Sequence, residues 1–267
     1  MATSNQKSLA QNFLAKRRLA VSLLNGSSIA MDDIVYEIGP GKGILTAELC
    51  KRAKKVIAIE KDHVLYLKLK KKFEFNDNII LYNADFLRFR IKESCYKVFA
   101  NMPFNITSAA IRKILCAANS PADAYLIVQR EAAEKFTGTP RTTQFSVLLK
   151  PHFRPKIIRR FKRTDFSPVP NVDVVMLHIE KRTSSLVSAA DISAYEQFIK
   201  RGFGAWRKDL KSNYKHVFSH NQWKRLSRDL EFPIRAKPSE IQFRQWLGLF
   251  DFYKCSQTSL RRTNIRG

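Results

Sequence analysis

The heptapeptide Glu37-Ile38-Gly39-Pro40-Gly41-Lys42-Gly43 narrows the folding options of this chain more than any other stretch. It follows an apolar run, Ile34-Val35-Tyr36, and precedes a helical one, Ile44 to Leu49. The order is strand, glycine turn, helix start. Glycine admits backbone angles closed to other residues and lets the main chain come close to a ligand. Pro40 stiffens the turn and gives up an N–H. The helix start behind it offers unbonded N–H groups at the positive end of its dipole. A purely structural turn would have the same composition, so this stretch alone fits packing and ligand binding equally.

Two acids downstream sharpen the choice. Val56-Ile57-Ala58-Ile59-Glu60 is a second apolar strand ending in a carboxylate. Ile79-Ile80-Leu81-Tyr82-Asn83-Ala84-Asp85 is a third, with an acid just past its end. An acid closing the second strand of a nucleotide-binding α/β fold accepts the ribose hydroxyls. The position of Asp85 suits an adenine amino group.

A fourth strand, Lys97-Val98-Phe99-Ala100, runs into Asn101-Met102-Pro103-Phe104. That tetrapeptide suits a planar exocyclic amine, whose nitrogen lone pair is delocalised into the ring. The Asn101 side-chain oxygen would accept one N–H and the Met102 carbonyl the other, with Pro103 holding that carbonyl. Two acceptors favour a tetrahedral nitrogen with an exposed lone pair. Phe104 would stack on the base. In isolation the same four residues would also serve as a turn capped by Asn101 with Phe104 in the core. Their alignment with Gly39, Glu60 and Asp85 favours the site.

Further strand-like runs are Ala124–Val128, Ile157–Phe161 and Val174–Ile179, making seven in all. Their alternation with helical runs predicts an α/β fold with a largely parallel sheet and helices on both faces. Ligands then bind at the carboxyl ends of the strands, where Gly39, Glu60, Asp85 and Asn101 all fall. A helix is expected from Gln11 to about Leu24, its entry segment either a cap at Asn12 with Phe13 and Leu14 as packing anchor, or a cover over the bound ligand. Phe166-Ser167-Pro168-Val169-Pro170 is expected to be loop. Thr183 to Ala190 reads as a linker, followed by helical patterns at 192–202, 206–218, 222–230 and 240–250. The expected domains are therefore 1–182 and 183–267, with a disordered basic tail from Arg261 to Arg266.

Charge points to the partner. The 267 residues carry 48 Lys and Arg against 23 Asp and Glu, a formal net charge of +25. Such an excess opposes compaction and favours a polyanion, nucleic acid first. Expected phosphate contacts are Lys7, Lys16, Arg17, Arg112, Arg130, Arg141 and the run Arg159-Arg160-Phe161-Lys162-Arg163. No apolar run is long enough for a transmembrane helix, and no apolar signal core follows the polar first residues. Cys50, Cys95, Cys116 and Cys255 have neither CxxC spacing nor a nearby histidine, so reduced thiols in a cytoplasmic protein and no metal site are expected.

Together these blocks resemble the Erm family of ribosomal RNA adenine N6-methyltransferases, within the KsgA/Erm superfamily. The likeness covers roughly residues 8–255. Besides the four strand-end blocks it includes Gln11-Asn12-Phe13-Leu14, Gln129-Arg130-Glu131-Ala132-Ala133, Leu148-Leu149-Lys150-Pro151 and Phe166 to Asp173. Val172-Asp173 and the Trp206 region look more like Erm than KsgA. The resemblance implies a Rossmann-like S-adenosylmethionine-dependent methyltransferase domain with a mostly parallel seven-stranded sheet, plus a small all-α C-terminal domain. It implies cofactor contacts from Asn12, Leu14, Gly39, Gly41, Glu60, Asp85, Phe86 and Asn101, and a catalytic set Asn101, Met102, Pro103 and Phe104. The implied substrate is one adenine in a domain V hairpin of 23S rRNA, methylated by a monomer before ribosome assembly is complete, with macrolide–lincosamide–streptogramin B resistance as the outcome. Met102 and Phe104 depart from the commoner Ile or Leu and Tyr; the backbone carbonyl and aromatic face remain, but the hydroxyl is lost. Competing expectations are KsgA-type dimethylation of small-subunit rRNA and a non-catalytic RNA-binding relative, against which the full set Gly39, Glu60, Asp85 and Asn101 argues.

Overall fold

The computed structural model describes residues 12–204 and 209–264. Lys7, Gln11, Trp206 and the end of the tail from Ile265 lie outside the described residues. The strands are β1 (Phe13–Leu14), β2 (Ile34–Ile38), β3 (Lys55–Glu60), β4 (Ile79–Asn83), β5 (Lys97–Asn101), β6 (Asp123–Gln129), β7 (Phe153–Arg160), β8 (Phe166–Ser167) and β9 (Val174–Lys181). The α-helices are α1 (Arg17–Asn25), α2 (Ile44–Leu49), α3 (His63–Lys72), α4 (Thr107–Leu115), α5 (Arg130–Thr137), α6 (Gln144–Leu149), α7 (Ile192–Phe203), α8 (Leu210–Asn213), α9 (His220–Asp229) and α10 (Phe243–Asn264).

Seven strands form one sheet in the order β4-β3-β2-β5-β6-β9-β7. The five from β4 to β6 are mutually parallel, and β9 runs antiparallel to β6. The chain winds outward from β2 in one direction to β4, then returns to β5 on its other side. Ligands of such sheets bind at that reversal, beyond the carboxyl ends of the strands. Register places the candidate residues there. Ile38 pairs with both Ile59 and Ala100, so Gly39, Glu60 and Asn101 come next along adjacent strands. Continuous apolar runs make the central strands, as expected of a sheet covered on both faces; Val35, Val56, Val98 and Phe99 are wholly buried. On one face Val35, Val56 and Phe99 join Leu19, Leu23 and Leu24 of α1 and Leu45 and Leu49 of α2.

The described residues fall into two compact units. The first holds those up to Ala133 with Arg154–Lys181; the second joins Glu134–Phe153 to those from Arg182 onward. Residues 134–153 therefore pack with the helical unit, although the sequence expectation placed the whole stretch up to 182 in the first domain. Tyr195 explains part of this: its buried hydroxyl donates to the Val147 carbonyl of α6 at 2.9 Å. Thr143 caps α6, accepting from the Ser146 N–H. The second unit's core is aromatic, built on Phe198, Tyr214, Trp223, Trp246 and Phe250.

Three local expectations are corrected. Residues 13–14 are not helical; they form β1, paired antiparallel with β8, which itself replaces the first residues of the expected loop 166–170. Asn12 is not a helix cap, since α1 begins only after Lys16. The helix expected over 206–218 is the single turn α8, capped by Asp209, among the described residues. In addition, α10 extends to Asn264, through the start of the tail expected to be disordered.

Gly202 of α7 offers a test of the second core. A Cβ there would lie 2.5 Å from the Trp246 ring and 2.7 Å from the Tyr214 hydroxyl. Alanine gains about 0.5–1 kcal/mol of helix propensity over glycine, whereas overpacking a tight core costs about 1–3 kcal/mol. Both rings are wholly buried and cannot swing aside. Gly202→Ala should therefore lower stability in denaturant unfolding, and an unchanged or raised midpoint would contradict this packing.

Candidate active site

The glycine turn is built by backbone conformation. Gly39, Gly41 and Gly43 have φ of 67°, 59° and 73°, a region that disfavours side chains. The Gly39 N–H donates to the Ile59 carbonyl at 3.0 Å, tying the turn to β3. A Cβ on Gly41 would lie 2.5 Å from the Phe13 ring, so β1 lies directly on the turn. From below, the Lys72 ammonium of α3 donates to the carbonyls of Lys42 at 2.9 Å and Gly43 at 3.2 Å. Beneath the turn Glu37 is fully buried, and burial pushes its carboxyl up to about 8.

Glu60 closes β3 as expected and is almost wholly buried. Its Oε2 accepts from the Gly41 N–H at 3.0 Å and its Oε1 from the Asp62 N–H at 2.9 Å. Burial raises its affinity for a proton, while those two donors oppose the rise. Each oxygen keeps a further lone pair for a diol. Asp85 lies one strand away. Its Oδ1 accepts from the Leu87 N–H and its Oδ2 from the Lys61 ammonium, both at 2.9 Å. The Lys61 contact holds the Asp85 carboxyl below the usual range. Lys61 is thus a site neighbour that the sequence pattern did not single out. Phe86 is buried beside Asp85, and its carbonyl accepts from Lys113 of α4 at 2.6 Å.

Asn101 ends β5, and its Nδ2 donates to the Asn12 carbonyl at 2.6 Å. That bond takes one of the two Nδ2 hydrogens, and among the described residues no donor reaches Oδ1. The turn after it is anchored at both ends. Met102 N–H donates to Ile127 O at 3.0 Å, and Pro103 O accepts from Ile106 N–H and Thr107 Oγ1, both at 3.1 Å. Among the described residues no donor reaches the Met102 carbonyl. Phe104 is half-buried; it packs against the first unit's core and also lines a cleft with Asn12, Phe13, Gly39 and Asn101. A second cleft holds Gly39, Glu60, Asp85, Phe86 and Pro103, and a third holds Leu14, Gly39 and Asn101. Gly39 belongs to all three. Gly41 faces Glu60 and Phe13 instead of the clefts.

These features fit an adenosyl group with an aliphatic tail: a glycine cradle, a buried diol acceptor, an acid at an adenine position and one shared rim. The comparison with known proteins agrees. The family described as "Ribosomal RNA adenine dimethylase" matches residues 2–254. The chain belongs to this family. It is an rRNA adenine N6-methyltransferase whose methyl donor is S-adenosylmethionine. It is 31% identical to ribosomal RNA small subunit methyltransferase A of Clostridium perfringens over 219 residues, 79% of this chain and 77% of that protein. It is also 31% identical to an rRNA adenine N-6-methyltransferase of Limosilactobacillus reuteri over 253 residues, 94% of this chain and 98% of the other. Among solved structures, the 23S rRNA methyltransferase ErmE superposes with a TM-score of 0.84 at 28% identity, over 90% of this chain and 98% of that one. A Plasmodium falciparum dimethyladenosine transferase shares the fold, with a TM-score of 0.70 at 23% identity, over 91% and 98% of the two chains.

Within this dimethylase family site, several expected phosphate contacts are engaged inside the protein. Arg17 bonds Glu48 at 2.6 Å, and Arg130 and Arg163 both reach Asp173, at 2.9 and 3.2 Å. Among the described residues no helix is long and apolar enough to cross a membrane.

Gly41 carries a prediction. Alanine there meets the Phe13 ring and adopts a left-handed angle that costs about 1–2 kcal/mol. Gly41→Ala should weaken S-adenosylmethionine binding roughly ten-fold in calorimetry. Wild-type affinity would mean the turn does not shape the cofactor site.

Proposed function

We propose that this protein N6-methylates one adenine in domain V of 23S rRNA, adding one or two methyl groups and giving macrolide–lincosamide–streptogramin B resistance. The observation that carries the chemistry is the Asn101 amide, its nitrogen held by the Asn12 carbonyl and its Oδ1 left without a donor among the described residues. Support for the large-subunit target is the likeness to the 23S rRNA methyltransferase ErmE, at 28% identity and a TM-score of 0.84.

Glu60 is proposed to take the ribose hydroxyls of S-adenosylmethionine and Asp85 its adenine amine, with Phe86 against the ring. Asn12, Leu14, Gly39, Gly41 and Asn101 would complete its seat. When bound, the sulfonium supplies an electrophilic methyl group. The chain's own residues prepare the nucleophile. An adenine must leave its stack to reach this rim. Asn101 Oδ1 and the Met102 carbonyl would each accept one N6 hydrogen. That pulls the nitrogen toward a tetrahedral shape and frees its lone pair. No carboxylate or histidine is needed to remove a proton first, because the amine sheds it after attack. Phe104 presents a ring face to hold the extruded base, an arrangement that contributes about 1–3 kcal/mol.

Two outcomes test the roles. Asn101→Ala should lower kcat by about a hundred-fold or more, while cofactor affinity falls much less; near-normal turnover would remove the amine-orienting role. Phe104→Ala should raise KM for RNA, and Phe104→Tyr should be tolerated. A strong loss from the tyrosine change would make Phe104 a core residue only. For the target, 23S and 16S rRNA are incubated with radiolabelled S-adenosylmethionine and the labelled nucleotide is mapped. Label in domain V is expected; label confined to 16S rRNA would assign the small-subunit reaction instead.

A further inference from the structure

The solvent face of β7 is a second feature that the methyl-transfer site does not use. Residues two apart share a face of a strand, at a spacing of about 7 Å. Arg154, Lys156, Ile158 and Arg160 thus lie in one row, and all four are exposed. Arg154 is partly neutralised by Glu180 at 3.3 Å. Lys156 and Arg160 meet no acid among the described residues. Between them Ile158 is 40% exposed, a large aliphatic group left in water. The opposite face is different: Arg159 turns to Ser22 of α1 at 3.1 Å and lies over Phe161.

β7 also ends in the right place. Phe161 N–H donates to the Val174 carbonyl at 3.0 Å, and Val174 pairs with Gln129 at the carboxyl end of β6. Arg160 therefore stands at the rim that carries Asn101. From there the chain continues through Lys162 and Arg163 to β8, which pairs with β1 beside Asn12.

We propose that this row is a rail for the sugar–phosphate backbone of the RNA that flanks the extruded adenine. Lys156 and Arg160 contact phosphates and Ile158 packs on the sugars between them. The two cations stand about 14 Å apart along the strand, so they reach phosphates that are not adjacent. The proposal rests on the rRNA substrate argued above and adds where its backbone runs.

The test is the salt dependence of binding to a hairpin transcript bearing one loop adenine. Each phosphate contact contributes roughly 0.7–0.9 to the slope of log affinity against log salt. The double variant Lys156→Gln/Arg160→Gln should bind more weakly, with a slope shallower by about 1.5 to 2. Ile158→Lys, which adds a cation to the row, should tighten binding at low salt and steepen the slope by about 1. Lys68→Gln, on exposed α3, is the control and should leave the slope unchanged. Heat of S-adenosylmethionine binding certifies that each variant is folded.

Cations on an edge strand also deter strand addition by another chain. If the double variant only self-associates and keeps the wild-type slope, the rail is overturned. It is likewise overturned if that variant loses binding to phosphatidylserine vesicles with the RNA slope unmoved. The two proposals fail separately. Unmoved slopes with methyl transfer intact remove the rail alone; altered slopes with no methylated rRNA remove the proposed reaction alone.

Discussion

The hydrogen-bonded register of β2 against β3 and β5 is the constraint from which the site follows. Parallel ladders fix each strand's end relative to its neighbours. Because Ile38 faces Ile59 on one side and Ala100 on the other, three successor residues reach one rim together. A slip by one residue would turn Glu60 and Asn101 to opposite faces of the sheet. The buried apolar strands forbid that slip, since it would drive core side chains into water. Site precision is thus a by-product of core packing.

On that rim, polar groups divide between those spent on the fold and those left for ligands. Met102 N–H, Pro103 O and Asn101 Nδ2 are committed to Ile127, to α4 and to Asn12. Each Glu60 oxygen takes one backbone donor and keeps capacity for a second. What is left over, Asn101 Oδ1 and the Met102 carbonyl, is a pair of acceptors. A site built from acceptors without a titrating base suits an amine whose proton is lost after bond formation.

Much of this was legible in the chain because apolar runs ending in Gly39, Glu60, Asp85 and Asn101 state both the strand and its functional end. The family match bears out the wider rRNA adenine dimethylase family, while the choice between large- and small-subunit rRNA is not written in those blocks. The parts that escaped are long-range. Phe13-Leu14 and Phe166-Ser167 are too short to show a strand period, and only their mutual pairing makes them strands. Phe13 over Gly41 and Lys72 under Gly43 leave no local signal at all. No motif surrounds Lys61, yet it is bound to Asp85. Residues 134–153 hold the end of α5 and all of α6, helices that read no differently from the first unit's, and tertiary packing alone assigns them to the second.

The β1–β8 ribbon has two residues on each side, reinforced by the Ala15 N–H to Asp165 carbonyl bond at 2.9 Å. So slight a ribbon belongs to the part of a protein that opens most readily. It nevertheless carries the Asn12 carbonyl, the group that decides which end of the Asn101 amide looks outward. Were the ribbon to open, the amide would be free to rotate by half a turn and exchange its oxygen for its nitrogen. The orientation of the Asn101 amide is thereby set 89 residues upstream, by a backbone carbonyl beside the ribbon.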